Sequence, residues 1–203
     1  MILTRKKEID RDRVLDAAEA VILESGGRSF TLDAVAARAG ISKGGLVYSF
    51  ATKDDLVHAA LEREMARFRE AVHRRLGGGP TEPVGLVLAH IEEALDEDDV
   101  STQKAAFLVT ALVHAPDMLE PVRRYYRELL QPLRSERRGD VQEVRHALLA
   151  VEGIFLLRGL GFVEVSADEQ KSVLLHAREI VIAVLSKHRA HAPHATRPKI
   201  TRS

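Results

Sequence analysis

The sequence of 203 residues contains no cysteine, no long apolar run and no excess of charge of either sign. The absence of cysteine excludes disulfide bridges and metal sites built from thiolates. No apolar run reaches the roughly 18 residues that a membrane span needs, so no membrane partner is expected. The first ten residues, MILTRKKEID, lack the apolar segment of a signal peptide, which predicts a cytoplasmic location. The formal net charge of 0 argues against a protein that coats nucleic acid by bulk charge, but it allows a sequence-specific binder with a local basic patch.

Catalytic and metal-binding motifs are also missing. The sequence has no G-x-S-x-G, Walker A or H-E-x-x-H pattern. His188, His191 and His194 are spaced by three, but a segment that contains proline offers no scaffold to fix a metal geometry. The adjacent acids Glu92 and Glu93 would point to different faces of a helix and would make a poor acid–base pair. We therefore expect neither an enzyme nor a bound metal or cofactor.

Apolar residues make up 45% of the chain and recur at helical spacing, and no alternating pattern of useful length predicts a strand. The pattern therefore predicts an all-α protein with nine helices. A Gly-Gly-Gly-Pro segment at 77–80 interrupts the chain after the fourth helix. Residues 189–203 hold four basic residues, two prolines and no acid, which predicts a disordered basic tail. The expected helices are 10–25, two short segments within 31–50, and then 52–76, 82–96, 102–114, 117–136, 141–160 and 167–188.

The most informative stretch is 31–53, which reads TLDAVAARAGISKGGLVYSFATK. Thr31 can cap the start of a helix with its hydroxyl, and Gly40 can end that helix in a left-handed conformation. Ser42 can cap a second helix directly after the turn. Two short helices joined by a turn that contains glycine are typical of a helix-turn-helix.

The second short helix carries two adjacent glycines, Gly44 and Gly45, in its first turn. Each destabilises a helix by about 1 kcal/mol relative to alanine, so their presence needs another reason. One reason is close approach to DNA, because the start of the second helix of a helix-turn-helix enters the major groove. The alternative is that the glycines mark a loop and that the nearby lysines are ordinary solvated charges. The predicted DNA contacts are Thr31, Ser42, Lys43, Gly44, Gly45, Tyr48 and Lys53.

This stretch resembles the DNA-binding segment of the TetR family of transcriptional regulators. The family pattern runs approximately S-K-G-x-L-Y-x-H-F and then S-K-E-x-L, and the chain has SKGGLVYSF at 42–50 and TKDDL at 52–56. It differs at Val47, where an aromatic residue is common, and at Ser49, where histidine is frequent. The close match covers 10–60. The segments GGLVYSF and VEGIFLLRGLGF are also similar to multidrug-responsive members of the family.

The resemblance implies a two-domain architecture, in which residues 1–50 bind DNA and residues 51–188 bind an effector and dimerise. It also implies that the last two helices form a four-helix dimer interface with a second copy of the chain, since a palindromic operator requires a twofold-symmetric pair of DNA-binding domains. Apolar residues recur on wide faces of both helices, although both faces could be core alone. The predicted dimer contacts are Leu148, Val151, Leu174, Val181 and Val184.

A small-molecule site is predicted in the middle helices, where aromatic and thioether residues gather and where two polar residues are flanked by apolar ones. Pockets are largely apolar with a few polar groups, so most of these residues would suit a plain core equally well. The expected effector is apolar or aromatic. The predicted ligand contacts are Phe107, His114, Met118, Tyr125, Glu152 and Phe155.

The preferred hypothesis is a repressor that binds a partly palindromic operator as a homodimer and is released when a small-molecule effector binds. Two alternatives stay open. A ligand-independent DNA-binding regulator would have the same N-terminal DNA-binding domain, residues 1–50 (the head), and no ligand would change its DNA affinity. A helical enzyme or small-molecule carrier with a vestigial head would bind DNA without sequence preference.

Overall fold

The computed structural model describes residues 10–26, 29–77, 82–136 and 139–191. Within these ranges all regular structure is helical and comprises nine α-helices, which confirms the predicted fold class. Residues 78–80 of the predicted break and residues 192–203 of the predicted tail lie outside the described residues. The helices are α1 (Arg11–Glu24), α2 (Leu32–Ala39), α3 (Lys43–Ser49), α4 (Lys53–Arg75), α5 (Pro83–Asp96), α6 (Asp99–Ala111), α7 (Glu120–Ser135), α8 (Gly139–Gly159) and α9 (Ala167–His191).

The starts of three helices follow the capping residues that the sequence predicts. The hydroxyls of Thr31 and Ser42 each accept a hydrogen bond at 3.1 Å from the backbone N–H three residues further on. Thr52 and Asp55 form a reciprocal capping box at the start of α4. These caps satisfy N–H groups that have no partner within the helix, so they fix where each helix begins.

Several helix boundaries differ from the prediction. The sixth helix begins at Asp99, earlier than predicted, because Asp98 is its cap; the Asp98 carboxylate accepts a hydrogen bond from the backbone N–H of Ser101 at 2.7 Å. A short 3₁₀ turn, Pro116–Leu119, precedes α7. The last helix continues to His191, so the first three residues of the predicted tail are helical.

Buried side chains form two clusters. The first joins α1, α2 and α3 to the first half of α4 and to the end of α6, with Leu46 and Leu108 fully buried. The second joins α5, α7, α8 and α9, with Ile91 and Leu148 fully buried. Met65 of α4 packs against both clusters. The N-terminal head therefore rests on α4 and α6, and these helices connect it to the rest of the chain.

Helix α8 approaches α6 closely at Gly159. A Cβ at this position would lie 2.4 Å from the Cβ of Ala106, a short side chain that cannot rotate away. We expect Gly159→Ala to lower the free energy of unfolding by about 1–3 kcal/mol, because overpacking strains a dense core. Gly85→Ala on α5 is the matched control, since the atom nearest to its Cβ is 4.0 Å away. Urea unfolding at equal protein concentration tests the pair, and wild-type stability of Gly159→Ala would contradict the close contact.

Candidate DNA-binding surface and effector cavity

Helices α2 and α3 form the predicted helix-turn-helix. Gly40 ends α2 with φ at 65°, a left-handed conformation that glycine adopts without steric cost. Thr31 and Ser42 use their hydroxyls as caps, and the donor to Ser42 is the N–H of Gly45. Leu46 is fully buried, which fixes one face of α3 against the core of the head. The opposite face of α3 therefore lies in solvent.

The exposed face of α3 carries several of the predicted DNA residues. Tyr48 is 79% exposed, and Val47 beside it is 40% exposed. Lys43 Nζ lies 2.8 Å from the carboxylate of Asp33, with both side chains mostly in solvent, so this ion pair can open at little cost. A Cβ on Gly44 would have no heavy atom within 4 Å. Packing within the chain therefore does not require glycine at this position.

Two cations stand at the edge of this surface over aromatic rings. Lys53 Nζ lies 4.1 Å from the ring centroid of Phe30, and the Arg11 guanidinium lies 4.4 Å from that of Phe50. Such contacts stabilise by about 0.5–1 kcal/mol at exposed sites, which leaves the charges able to attract a phosphate. Lys53 is a predicted DNA contact. Arg11 was not among the predicted DNA contacts, because only the fold places its guanidinium beside the Phe50 ring.

A cavity of about 100 Å³ lies between α4, α5, α6, α7 and α8, with residues of α9 at one side. Its lining is mostly apolar, as ligand sites usually are. Three of the predicted ligand contacts, Tyr125, Glu152 and Phe155, line it.

A cluster of polar side chains lies at the wall of this cavity. His90 Nδ1 is 2.7 Å from the Tyr125 hydroxyl, and His90 Nε2 is 2.7 Å from Glu152 Oε1. The second contact is short, but it lacks the geometry of a hydrogen bond. Tyr126 donates a short hydrogen bond to Glu152 Oε2. Among the described residues, no donor therefore makes a hydrogen bond to Glu152 Oε1.

Aromatic rings surround this cluster. Phe68 stands edge-on to His90 and to Tyr125, with ring centroids 5.3 and 5.9 Å apart, and Tyr125 and Tyr126 are 5.8 Å apart. Burial, and then the negative charge of Glu152, raise the pKa of both tyrosines. Both phenols therefore stay protonated and can donate hydrogen bonds.

The other three predicted ligand contacts lie outside the cavity. His114 is exposed, with Nε2 2.8 Å from the carboxylate of Asp54. Met118 packs against the core of the head, and its carbonyl oxygen is 2.8 Å from His58 Nδ1. Phe107 also packs against the head core. Phe107 lies on a different face of α6 from Ala105 and Val109, which line the cavity, whereas His114 and Met118 come after the end of α6.

Sequence reasoning missed His90. The signal was present, since the sequence places this histidine inside the apolar stripe of α5, beside Ile91 and three residues after Val87. The structure buries it, with 5% of its surface exposed. A buried histidine in such a stripe needs polar partners from other helices. Here the partners are Tyr125 and Glu152, which lie 35 and 62 positions further along the chain.

The five predicted dimer contacts are all buried within one chain, so this assignment is corrected. They belong to the second core cluster, where α9 packs against α5 and α8, and they offer no surface to a second copy. Their exposed fractions lie between 0% and 3%. The solvent-exposed side of the same two helices has a groove between α8 and α9, lined by Glu143, His146, Ala147, Ala150, Ser172, Val173, His176, Ala177 and Ile180.

A chain of ion pairs joins the head to the wall of the cavity. Lys104 of α6 lies 3.1 Å from Glu19 of α1 and 2.9 Å from Glu64 of α4, and Arg67 lies 2.6 Å from both Glu64 and Glu97. Glu64 and Glu97 line the cavity. Burial alone would raise the pKa of Glu64, but hydrogen bonds from Arg67 and Lys104 hold it below its ordinary value. Burial raises the pKa of Glu97.

In the part of the chain that the structure describes, no group of three or more histidine or acidic side chains could hold a metal ion. None of the helices described is both long enough and apolar enough to cross a membrane.

Family models match both halves of the chain. Residues 14–60 match the model for bacterial regulatory proteins of the tetR family. Residues 84–181 match the model for the C-terminal domain of tetracyclin repressor-like proteins.

Among curated proteins, the chain is 31% identical over 165 residues to the HTH-type transcriptional regulator BetI of Escherichia coli O45:K1 (strain S88 / ExPEC), a match that covers 76% of this chain and 84% of that protein. It is 33% identical over 93 residues to the HTH-type transcriptional repressor KstR of Rhodococcus jostii (strain RHA1). That second match covers 46% of this chain and 44% of KstR.

Solved structures show the same fold. The multidrug binding protein EbrR complexed with ethidium superposes with a TM-score of 0.58 at 25% identity, covering 86% of this chain and 97% of that one. A TetR-like transcriptional regulator from Rhodococcus sp. RHA1 superposes with a TM-score of 0.61 at 22% identity, covering 90% and 99%.

Proposed function

Because the chain belongs to the TetR family of transcriptional regulators, we propose that it is a repressor that binds a partly palindromic operator as a homodimer and leaves DNA when a small molecule binds. One observation carries this proposal: α4 and α6 belong both to the core of the head and to the wall of the cavity. A change at the cavity can therefore reach the head through packed helices. We assign residues 1–50 to DNA binding and residues 51–188 to effector binding and dimerisation.

We propose α3 as the recognition helix. Tyr48 and Lys43 project from its exposed face, where they can reach base edges or phosphates. Gly44 lets the backbone approach the duplex. Lys53 and Arg11 flank the helix and would contact phosphates on either side. Thr31, Ser42 and Gly45 act indirectly, because their hydrogen bonds set where α2 and α3 begin.

The proposed dimer surface is the exposed side of α8 and α9, along the groove already described. Leu149, Leu157 and Leu175 on these helices are 50%, 43% and 41% exposed, although each is large and apolar. A second copy that covers them would remove apolar surface from water. An operator with two half-sites about one turn of DNA apart, roughly 34 Å, requires such a twofold pair of recognition helices.

The proposed effector site is the cavity beside Tyr125, Glu152 and Phe155, and we include His90 because it lines the same cavity. The complex of EbrR, a protein 25% identical to this chain, with ethidium supports a small-molecule role for this chain. Effector and operator would weaken one another by the same factor, typically about 1–3 kcal/mol of coupling free energy.

Selection from a random duplex pool with the full-length protein tests the DNA-binding claim. We expect an enriched, partly palindromic motif. Operator affinity should fall by about 1–3 kcal/mol for Lys43→Ala and for Tyr48→Phe if these side chains contact base edges. A loss that is equal on all sequences would identify a phosphate contact. Binding without any enriched motif would contradict the repressor and favour a carrier with a vestigial head.

Gly44→Ala separates DNA binding from folding. Because nothing lies within 4 Å of the added Cβ, the free protein should gain up to about 1 kcal/mol of helix stability. Operator affinity should nevertheless fall by about tenfold or more if the backbone of α3 approaches the duplex closely. Gly85→Ala, on α5 and remote from the head, is the control. Unchanged operator affinity in a stable Gly44→Ala protein would remove α3 from the interface.

A further inference from the structure

We propose that helix α3 recognises thymine in the operator, through contact between the Val47 side chain and the methyl group of the thymine ring. This inference rests on the proposed function, in which α3 is the recognition helix, and names the base that its exposed face selects. Three features carry it: the position of Val47 near the first turn of α3, the open space beside it at Gly44, and the hydrogen bonds that already engage the polar side chains nearby.

Val47 lies on the side of α3 that faces solvent. Leu46 next to it is fully buried in the core of the head, which fixes the rotation of the helix, whereas Val47 is 40% exposed. Gly44, Val47 and Tyr48 are three and four residues apart, so they share one face of the helix. Side chains of a helix lean toward its N-terminus, so the Val47 methyl groups point toward the first turn. In a helix-turn-helix this first turn is the part that enters the major groove.

The first turn of α3 leaves room for a base beside Val47. A Cβ on Gly44 would have no heavy atom within 4 Å, so the surface toward which the valine leans is open. A methyl group that projects from a base edge can occupy this space and contact the valine. The open space at Gly44 and the exposed valine are therefore matched to a small apolar group on the DNA.

Several polar side chains around this turn are already engaged within the chain. Ser42 Oγ accepts a hydrogen bond from the Gly45 N–H at 3.1 Å, and the Ser49 hydroxyl donates to the Gly45 carbonyl oxygen at 3.3 Å. Lys43 Nζ lies 2.8 Å from the carboxylate of Asp33. This exposed pair opens at little cost, but a released lysine is a point charge that suits a phosphate as well as a base. These groups are therefore poorly suited to distinguish one base from another.

The composition of α3 points in the same direction. Bidentate hydrogen bonds to bases use arginine or lysine for guanine and asparagine or glutamine for adenine, and acidic side chains accept from cytosine. The helix reads KGGLVYS and holds none of these except the paired Lys43. Thymine is distinguished in the major groove by its methyl group, which apolar side chains contact. Val47 is the aliphatic side chain that α3 exposes, so thymine is the base that this helix can select.

The size of the effect follows from the apolar area that the contact buries. Removal of one methyl-sized group from water corresponds to roughly a fourfold gain in affinity. A homodimer on a palindromic operator makes the contact once in each half-site, so the two gains multiply to about 15-fold. Because base pairing is not involved, a change confined to the methyl groups should produce the whole loss.

The test takes the operator obtained by selection and replaces its thymines by deoxyuridine, one position at a time and in both half-sites together. Deoxyuridine pairs with adenine in the same way and lacks only the methyl group. Fluorescence anisotropy with the full-length protein at one fixed salt concentration gives the affinity for each duplex. We expect one thymine position per half-site at which the replacement weakens binding by about 15-fold, and changes below about twofold at the others. At that position 5-methyldeoxycytidine should bind more tightly than deoxycytidine by a similar factor, because it returns the methyl group to the same place.

Val47→Ala identifies the side chain that makes the contact. The variant should bind the thymine operator about 15-fold more weakly than the wild type does, and its affinity should no longer change when deoxyuridine replaces thymine, as in a double-mutant cycle. Val100→Ala is the matched control, since this valine is 57% exposed at the start of α6, and it should keep both the wild-type affinity and the loss with deoxyuridine. Thermal melts confirm that each variant is folded. If Val47→Ala does not fold, Val47→Thr takes its place, because it keeps the shape and exchanges one methyl group for a hydroxyl.

Equal affinity for thymine and deoxyuridine at every position of a selected operator would overturn this inference and leave the proposed repressor function intact. A selected motif without thymine would have the same consequence. A loss with deoxyuridine that Val47→Ala retains in full would also overturn it, and would assign the methyl contact to another side chain of the head. Failure to select any motif is distinct from these results, because it would contradict the proposed function as well.

Discussion

Replacing Val181 by glutamate is expected to unfold the chain and not to separate two folded protomers. Val181 is fully buried in the second core cluster, where α9 packs against α5 and α8. An unpaired carboxylate in such a place costs several kcal/mol, a large share of the roughly 5–15 kcal/mol that stabilises a domain. We expect the melting temperature to fall by about 10 °C or more, or cooperative melting to be lost, as followed by circular dichroism.

Ala150→Glu is the matched variant for the dimer surface. Ala150 is exposed in the single chain and lines the groove between α8 and α9. Glutamate is a good helix former, so the stability of the monomer should change by less than about 0.5 kcal/mol. In a twofold interface each substitution occurs twice and faces the same apolar surface of its partner. We therefore expect sedimentation velocity to show folded monomers for Ala150→Glu at concentrations where the wild type is a dimer.

The pair discriminates between two surfaces of the same helices. If Ala150→Glu stays dimeric while Val181→Glu yields a helical monomer, the buried side of α9 would be the dimer interface after all. If the wild type sediments as a monomer, the proposed homodimer itself is wrong. The two melting curves supply the control for folding in each case.

The sequence predicted the apolar faces of α8 and α9 but not which part of each face a second helix would cover. Periodicity records how wide an apolar stripe is, and it contains no information about the neighbour that fills it. Here α5 packs on α9 and removes Leu174, Val181 and Val184 from the surface. The residues predicted as dimer contacts were chosen for their strong apolar periodicity, and they belong to the core of the single chain. The exposed face of α8 and α9 has a weaker apolar pattern.

The helix-turn-helix was predictable because its determinants are local. Thr31, Gly40 and Ser42 act on backbone groups within three or four residues of themselves, and the structure confirms those caps. The cavity depends on distant partners instead. Glu152 was recognisable as a polar residue in an apolar stretch, but its neighbour His90 lies 62 positions away and nothing local indicates the pairing. The same limit applies to Lys104, whose partners lie on α1 and α4.

Lys104→Met is expected to lower the free energy of unfolding by about 2–4 kcal/mol at pH 7. Lys104 bridges Glu19 and Glu64, whose side chains are only 12% and 6% exposed, and methionine fills a similar volume without the charge. Removing one member of a buried ion-pair cluster costs more than the cluster contributes, because the remaining charges stay buried with fewer partners. Arg63 and Arg67 keep one contact to each glutamate, which limits the loss.

The pH dependence of this loss identifies its cause. In the wild type the pKa of Glu64 is held below its ordinary value of 4.5, so ionised Glu64 stabilises the fold above that value, and this stabilisation disappears as pH falls through the lower folded value. Without Lys104 the effect of burial is opposed by Arg67 alone, and the pKa of Glu64 should rise. Protonation then relieves the unpaired charge.

The difference in unfolding free energy between Lys104→Met and wild type should therefore be largest near pH 7 and shrink by about half or more near pH 4.5, measured by urea unfolding at equal protein concentration. Lys171→Met on the exposed side of α9 is the control, with a change below about 0.5 kcal/mol at both pH values. A loss of stability for Lys104→Met that is the same at both pH values would mean that packing of the lysine stem, and not its charge, holds α6 against α1 and α4.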